Sequence, residues 1–261
     1  MINAFYFGEQ SKPLLGIHLI ANQNNDKGES IVICAPIGHE YSRCHNSLKL
    51  LANELAHCGF SVLRFNYYAT GDSSGDSSQG DLTQWVEDIG NAIQEAKDLS
   101  GSNKVSLIGL RTGALLALEA SKQQPVNRLI LWEPLLSGKT YLEQLKKMHQ
   151  FAITDPERFY LTEDSITETE NQFLGHFYST TLQNQLANLK IEEPLNYQVN
   201  DLMVVTSEHD DEKIADQYQS ITNKPIIKIH STTNWRDSRQ IGKMFIAGHS
   251  LSMLCGIMKG D

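Results

Sequence analysis

The sequence has no long apolar run: no stretch approaches the ~20 consecutive apolar residues that a membrane-spanning helix requires. Its first residues, MINAFYFGEQSKP, lack a charged segment followed by an apolar one, so no secretory signal peptide is predicted. From these two absences we expect a cytoplasmic protein with no membrane span.

Cysteine and positive charge are also scarce. The four cysteines, at positions 34, 44, 58 and 255, show neither C-x-x-C spacing nor a dense framework. We expect no metal and no other cofactor. Lys and Arg number 22 against 31 Asp and Glu, so the net charge is −9. Because the phosphate backbone of nucleic acids attracts clustered Lys and Arg, this balance argues against a nucleic-acid partner.

The chain instead contains a regular alternation of short apolar runs and helical patterns. Strands are predicted at 14–21, 30–36, 60–66, 104–110, 127–134, 201–207 and 224–230. Apolar residues recur at helical spacing over 48–55, 82–96 and 112–123, with Gly59 ending the first helix and Asp81 as N-cap of the second. This alternation predicts an α/β fold, a mostly parallel sheet with helices on both faces.

The strand signals stop between residues 137 and 198. Segments 139–151, 167–178 and 180–189 have the pattern of amphipathic helices. We therefore predict a core domain formed by residues 1–136 and 199–261, and a helical cap inserted at 137–198. Such a cap is expected over the carboxyl edge of the sheet, where ligands bind in open α/β folds.

The pentapeptide Gly109-Leu110-Arg111-Thr112-Gly113 has the outline of a G-x-S-x-G nucleophile elbow, with arginine where serine should stand. It follows a predicted strand and opens a predicted helix, which is the setting that the motif needs. Its glycines permit a sharp turn and a close approach of helix and strand. The sequence thus predicts the elbow without the nucleophile.

Arg111 narrows the possible chemistry, because a guanidinium is always charged and is neither a nucleophile nor a general base. A buried charge needs a partner, and Glu40, Glu133 and Asp210 are the candidates. Two interpretations remain open. The arginine belongs to a salt-bridge network that fills a site without activity, or it anchors a carboxylate, phosphate or developing oxyanion.

An acid and a histidine follow the elbow. Asp210 lies in the loop after the strand at 201–207, with Asp211 as the alternative, and His249 precedes the last helix. The order elbow, acid, histidine favours an Asp210–His249 dyad that activates water or a substrate hydroxyl directly. Alone, His249 would be an ordinary loop histidine.

Substrate contacts are predicted around the loop after the second strand. The candidate substrate-binding or oxyanion residues are Gly38, His39, Glu40, Tyr41 and Thr112. His39 and Tyr41 are candidate donors to a reacting carbonyl, and ordinary loop packing is the alternative for each. Thr112 adjoins the elbow centre and is expected to face the helix packing.

These motifs resemble those of α/β-hydrolases of the serine-aminopeptidase-like group, in particular FNYYATGDSSG at 65–75. More narrowly, residues 35–75, LIGLRTGALLALEAS and LWEPLLSGKTYLEQL are similar to bacterial hydrolase-like proteins associated with exosortase and natural-product gene clusters. Arginine in the elbow looks like a trait of that set. The resemblance covers most of the chain and implies the α/β-hydrolase fold.

Two functions from different classes follow. In the first, His249 and Asp210 act on an acyl, ester or thioester substrate, free or carrier-bound, as in a hydrolase, acyltransferase or lyase. In the second, the chain is a pseudo-hydrolase that binds a small acyl or anionic ligand, or a partner protein, in the cap cleft. A purely structural interaction protein is a third possibility, with no positive sequence feature.

Overall fold

The computed structural model describes residues 2–155, 171–191, 197–207, 216–220, 224, 226–231, 234–235, 237–245 and 248–260, except the side chain of His249. Eight strands form one sheet: β1 (Ile2–Phe7), β2 (Leu14–Leu19), β3 (Ser30–Cys34), β4 (Ser61–Phe65), β5 (Val105–Leu110), β6 (Val126–Trp132), β9 (Val199–Ser207) and β10 (Ile226–Ile229). The remaining two, β7 (Gln172–Phe173) and β8 (His176–Phe177), form a separate hairpin.

The order of strands in the large sheet is β1-β2-β4-β3-β5-β6-β9-β10. All pairings from β4 to β10 are parallel, whereas β2 pairs antiparallel with both β1 and β4. The predicted fold class, a mostly parallel sheet between helices, is confirmed. Strand β1 was not predicted, because most of its residues are exposed at the sheet edge and show no clean alternation of apolar and polar side chains.

The described part of the chain contains six helices of eight or more residues: α1 (Gly38–His57), α2 (Leu82–Ser100), α3 (Thr112–Gln123), α4 (Gly138–Ile153), α5 (Thr180–Asn188) and α6 (Gly248–Lys259). Residues 216–220 are also helical. Helices α2 and α3 pack on one face of the sheet, and α1 and α6 on the other, so each face has its own apolar core. This arrangement buries both faces, as a parallel sheet requires.

Helix α1 begins ten residues before the apolar spacing that predicted it. Its first turns carry the buried polar residues Glu40, Arg43 and Ser47, which interrupt the apolar period. Helix α2 begins as predicted, because the Asp81 carboxylate accepts a hydrogen bond from the Gln84 amide at 3.0 Å.

The helix predicted at 167–178 is wrong for its described part, residues 171–178, where β7 and β8 form a two-residue hairpin. Leu174 and Gly175 both have positive φ, 50° and 82°, which is the conformation of a tight hairpin turn and not of a helix. Residues 167–170 lie outside the described part. The helices predicted at 139–151 and 180–189 correspond to α4 and α5. The division into core and cap stays a prediction.

Among the described helices, none has both the length and the apolar character that crossing a bilayer demands.

Candidate active site

The elbow is a sharp turn between β5 and α3, and Arg111 stands at its centre. Arg111 has φ 56° and ψ −118°, a conformation that residues with a side chain rarely adopt. Its amide donates to the Trp132 carbonyl at 3.0 Å, which ties the turn to the end of β6. The strained backbone of a nucleophile elbow is therefore built around an arginine.

The two glycines of the elbow are required by close backbone contacts. A Cβ atom on Gly109 would lie 2.5 Å from the Ala114 Cα atom. A Cβ atom on Gly113 would overlap the carbonyl oxygens of Cys34 and Ala35, at the end of β3. Only glycine allows α3 to approach the sheet this closely.

The Arg111 side chain is buried, with 3% of its surface exposed. Its Nε atom lies 3.0 Å from Glu40 Oε1, and its Nη1 atom lies 3.4 Å from the carbonyl oxygen of Glu133. The guanidinium carbon lies 5.5 Å from the centre of the Trp235 ring. Among the described residues, no acceptor is hydrogen-bonded to Nη2.

A second buried arginine, Arg43, belongs to the same cluster. Its guanidinium carbon lies 4.8 Å from the centre of the Trp235 ring, so Trp235 contacts both arginines. Arg43 Nε donates to the Lys243 carbonyl at 2.9 Å, and its Nη1 and Nη2 atoms have no hydrogen-bond partner within the described part of the chain. Burial lowers the pKa of Arg43, and Glu40 opposes this shift.

The cluster contains two arginines, Arg43 and Arg111, and two glutamates, Glu40 and Glu133. Burial acts to lower the pKa of Arg111, but the Glu40 and Glu133 carboxylates outweigh it and raise that pKa above its ordinary value. Arg111 is thus held firmly in its charged form. With all four groups ionised, the cluster has no net charge.

The amides expected in an oxyanion hole are those of the residue after the elbow centre and of the loop after β3. One loop amide already has a partner: the Ile37 N–H donates to the Thr112 hydroxyl at 3.0 Å. Thr112 is 1% exposed, so its side chain lies in the helix packing and ties the loop to the elbow.

Tyrosines from the predicted cap close the space above this loop. Gly38, with φ 55°, lies directly beneath Tyr178, and a Cβ atom on Gly38 would overlap the Tyr178 hydroxyl. The Tyr178 hydroxyl also contacts that of Tyr141 in α4. Burial raises the pKa of both tyrosines, which keeps both phenols neutral.

The other two candidate residues near the start of α1, His39 and Tyr41, are hydrogen-bonded to neighbouring segments. His39 Nε2 bonds to the Ile241 carbonyl at 2.9 Å, and the Tyr41 hydroxyl accepts from Asn66 Nδ2 at 2.9 Å. Of the predicted set, Glu40, Thr112 and Glu133 lie at the Arg111 elbow. Gly38 lies against Tyr178, and His39 and Tyr41 are hydrogen-bonded to neighbouring segments.

A cavity of about 520 Å³ opens over the elbow. Arg111 lines it together with Tyr141 and Tyr218, and the hydroxyl of Tyr218 donates to the Pro134 carbonyl. Hydroxyl and amide side chains from α4 and its N-cap, those of Thr140, Gln144 and Ser137, complete one wall. Its volume is in the range of small-molecule sites.

The predicted dyad lies largely outside the described residues. Asp210 and Asp211 fall within 208–215, and only the backbone of His249 is described, at the start of α6. Residues 243–245, which precede His249, are hydrogen-bonded to one face of α1. Arg43 Nε donates to the Lys243 carbonyl, Phe245 N donates to the Arg43 carbonyl at 2.8 Å, and Ser47 Oγ donates to the Phe245 carbonyl at 2.5 Å.

Five residues near the elbow were not anticipated: Arg43, Tyr141, Tyr178, Tyr218 and Trp235. One signal was available for Arg43, since it lies three residues after Glu40 and so on the same face of a helix. The others reach the site from distant segments, and local spacing carries no signal for them.

The fold and the arginine-centred elbow define a hydrolase-like protein of the α/β-hydrolase superfamily. The chain belongs to the serine aminopeptidase S33 family: residues 27–171, more than half of its length, match the model of that family. None of the curated proteins matches the sequence significantly.

Solved structures with the same fold are distant in sequence. Est1E from Butyrivibrio proteoclasticus, solved with ferulic acid bound, has a TM-score of 0.68 at 15% identity, over 98% of this chain and 97% of that one. The hypothetical protein PA2218 from Pseudomonas aeruginosa has 0.68 at 13%, over 100% and 93%. A thioesterase domain from the curacin biosynthetic pathway has 0.59 at 13%, over 98% and 99%.

Proposed function

We propose that the protein is an enzyme that acts on a neutral acyl ester or thioester bound in the cavity above Arg111. The observation that carries this proposal is the elbow itself. Its strained backbone is retained at φ 56°, and it presents the residue at its centre to a cavity of about 520 Å³. Strain of this kind persists where the surrounding structure enforces it, and it is concentrated at functional sites.

The charge balance favours a neutral substrate over a free carboxylate. The formal charges of the cluster, those of Arg43, Arg111, Glu40 and Glu133, sum to zero. A negatively charged substrate in the cavity is therefore not attracted by a net positive charge on the cluster. The N–H groups of the Arg111 guanidinium would still donate to a substrate oxygen placed beside them. A carbonyl that gains negative charge only during the reaction makes the best use of such a fixed donor.

Arg111 would serve as the oxyanion anchor. Its Nε and Nη1 atoms are occupied by Glu40 and by the Glu133 carbonyl, and these contacts hold the guanidinium in one orientation. Among the described residues no acceptor is bonded to its Nη2 group, which would donate to a substrate oxygen. Because the donor is already ordered, little reorganisation is needed when the tetrahedral intermediate forms.

His249 would act as general base, oriented by Asp210 or Asp211. It would remove a proton from water or from an acceptor hydroxyl, which then attacks the acyl carbon, and return that proton to the leaving group. No acyl-enzyme intermediate forms in this scheme, since no hydroxyl stands at position 111. The proposed substrate is a free ester or an acyl group on a carrier thiol.

The test is turnover of a panel of acyl esters and acyl thioesters by the unmodified chain and two histidine variants. His249→Ala is expected to reduce turnover of any substrate found by about 10²-fold or more. The matched control is His57→Ala, at the exposed end of α1, which should leave turnover unchanged. Equal rates for His249→Ala and the unmodified chain would refute the general-base role.

A second candidate function, a pseudo-hydrolase that binds an acyl ligand without turning it over, is favoured by one contact. The Ile37 N–H, a candidate oxyanion donor, is already bonded to Thr112. Calorimetry with the panel distinguishes the two functions. Stoichiometric binding that releases no product, and that is unaffected by His249→Ala, would support the pseudo-hydrolase.

A further inference from the structure

A serine and a histidine from distant segments meet at the wall of a second cavity. Ser42 lies in the second turn of α1, and His176 lies in β8, within the predicted cap. The Ser42 Oγ atom lies 3.4 Å from His176 Nε2, across 134 residues of sequence. A neutral histidine can accept a hydroxyl proton at this atom, and catalytic hydrogen bonds of this length shorten when a substrate binds. The two side chains therefore have the chemistry and the contact of a nucleophile and its base.

The hairpin formed by β7 and β8 positions the histidine. At its base, the Tyr178 amide donates to the Asn171 carbonyl at 2.7 Å. At its turn, the Leu174 amide donates to His149 Nδ1 in α4 at 3.2 Å. Burial lowers the pKa of His176, so its imidazole is neutral near pH 7 and is able to take a proton from the serine.

The second cavity has a volume of about 320 Å³ and shares no described lining residue with the cavity over the elbow. Besides Ser42 and His176, its walls include the apolar side chains of Ile37, Trp85 and Leu182. Among the described residues that line it, none is an aspartate, glutamate, lysine or arginine. A cavity of this size and lining suits an uncharged and largely apolar group.

Two further residues on the wall of this cavity have properties of a functional site. Ala69 has φ 60° although it carries a side chain, and its amide donates to the Ser74 carbonyl at 2.7 Å, which holds that conformation. Backbone strain of this kind is concentrated at functional sites. The Tyr41 hydroxyl accepts from Asn66 Nδ2, and within the described part of the chain no acceptor is bonded to its own proton. That proton is available to a substrate oxygen.

We propose that Ser42 is a nucleophile activated by His176, and that it takes an acyl group from a small uncharged ester or thioester bound in this second cavity. Ser42 Oγ attacks the carbonyl carbon while His176 Nε2 takes its proton, and the Tyr41 hydroxyl donates to the oxygen that becomes negative. The bond between the carbon and the leaving oxygen or sulfur then breaks, and the proton passes from His176 to that atom. The products are an acyl ester of Ser42 and an alcohol or thiol. The site uses neither Arg111 nor His249, so it does not rest on the proposed function.

The experiment treats the full chain at neutral pH with a fluorophosphonate that carries an uncharged alkyl chain, and maps the labelled peptides by mass spectrometry. The serine oxygen displaces fluoride from phosphorus, and the expected product is one adduct per chain, on Ser42. His176→Gln should slow this labelling by about 10²-fold or more. The matched control is His45→Gln, because His45 also adjoins Ser42 but its Nδ1 atom lies 3.2 Å from the backbone carbonyl oxygen and not from the hydroxyl. Labelling of that variant should be unchanged.

Three results would overturn the proposal. The first is the absence of an adduct on Ser42, and the second is an equal labelling rate in His176→Gln and the unmodified chain. The third is equal labelling of Ser42 and Ser77, because Ser77 is an exposed serine on the wall of the same cavity and no described histidine is hydrogen-bonded to it. Each readout is an adduct on one residue, so these failures are distinct from a failure of the His249 scheme, which is measured by turnover.

Discussion

Arg111 Nε lies 3.0 Å from Glu40 Oε1, and both side chains are more than nine-tenths buried. The pair joins the elbow after β5 to the first turn of α1, across 71 residues of sequence. In the elbow motif the central side chain is a free nucleophile. Here it is an ion-paired cation, and several properties of the protein should depend on this pair.

Breaking the pair should cost more stability than any surface ion pair. Glu40→Gln leaves the buried guanidinium of Arg111 short of its counter-charge, and removing one member of a buried pair typically costs about 3–5 kcal/mol. The free energy of unfolding, measured by denaturant titration, should fall by that amount. Glu119→Gln is the control, because the partly exposed Lys122–Glu119 pair should contribute about 1 kcal/mol or less.

The double variant Arg111→Met with Glu40→Gln tests the origin of that loss. It removes both charges, so it should recover most of the stability that Glu40→Gln alone loses. A double variant as unstable as the sum of its single variants would contradict the electrostatic account.

The elbow should tolerate no side chain at position 113. In Gly113→Ala, the new Cβ atom would overlap the carbonyl oxygens of Cys34 and Ala35, which are backbone atoms and not the ends of flexible side chains. We expect a loss of about 3 kcal/mol or more in the free energy of unfolding.

Gly256→Ala is the matched control. Gly256 lies within α6, and apart from the adjoining backbone of that helix no heavy atom of the described residues lies within 4 Å of the Cβ position. Alanine there should stabilise the protein by about 0.5–1 kcal/mol, because it restricts the unfolded chain and favours the helix. Equal effects of the two substitutions would show that crowding at the elbow is not the cause.

The Thr112 hydroxyl should limit any serine chemistry restored at the elbow. A fluorophosphonate probe is expected to leave residue 111 of the unmodified chain unlabelled, since no hydroxyl stands there. In Arg111→Ser, the Thr112 hydroxyl still accepts from the Ile37 amide. Adding Thr112→Ala frees that amide for an oxyanion, and one such donor is worth about 10²–10³-fold in rate.

The comparison is therefore between Arg111→Ser with Thr112→Ala and Arg111→Ser with Thr112→Ser, which keeps a hydroxyl. Hydrolysis of p-nitrophenyl acetate and probe labelling should both be faster in the alanine version. If the two double variants react at the same rate, the Thr112–Ile37 hydrogen bond does not obstruct an oxyanion hole.

Asp88 should make stability depend on pH. It is 1% exposed and accepts hydrogen bonds from the Tyr68 amide at 2.7 Å and from Gln84 Nε2 at 3.0 Å. Burial outweighs these bonds and raises its pKa to about 6, above the value of about 4 expected in the unfolded chain. Between these values the folded state binds more protons, so stability should fall as pH rises from about 4 to about 6.

The loss attributed to Asp88 should be on the order of 3 kcal/mol and complete above pH 6. Asp88→Asn removes the titration while keeping an acceptor for the Tyr68 amide. The difference in free energy of unfolding between the unmodified chain and Asp88→Asn, measured from pH 4 to pH 8, isolates the effect. A difference that does not vary with pH would contradict the assignment.

Much of the fold could be predicted from the sequence because buried parallel strands and amphipathic helices have strong local patterns. Helix α3 was predicted at 112–123 and observed there, and Asp81 capped α2 as expected. The misses have physical causes. Strand β1 is an exposed edge, the buried polar residues of α1 hide its first turns, and the β7–β8 hairpin lies in a segment whose apolar residues fit a helix equally well.

The sequence by itself determined that an elbow is present and that arginine stands in it, because Gly109, Arg111 and Gly113 lie in one local strand–turn–helix unit. It left three acids as possible partners of Arg111. Only the tertiary structure decided that the Glu40 carboxylate bonds to its Nε and that the Glu133 carbonyl accepts from its Nη1. The Thr112–Ile37 hydrogen bond and the contacts of Trp235 with both arginines were also decided there. These contacts join segments that are far apart in the chain. Their geometry depends on which strands are neighbours in the sheet, and local periodicity does not encode that order.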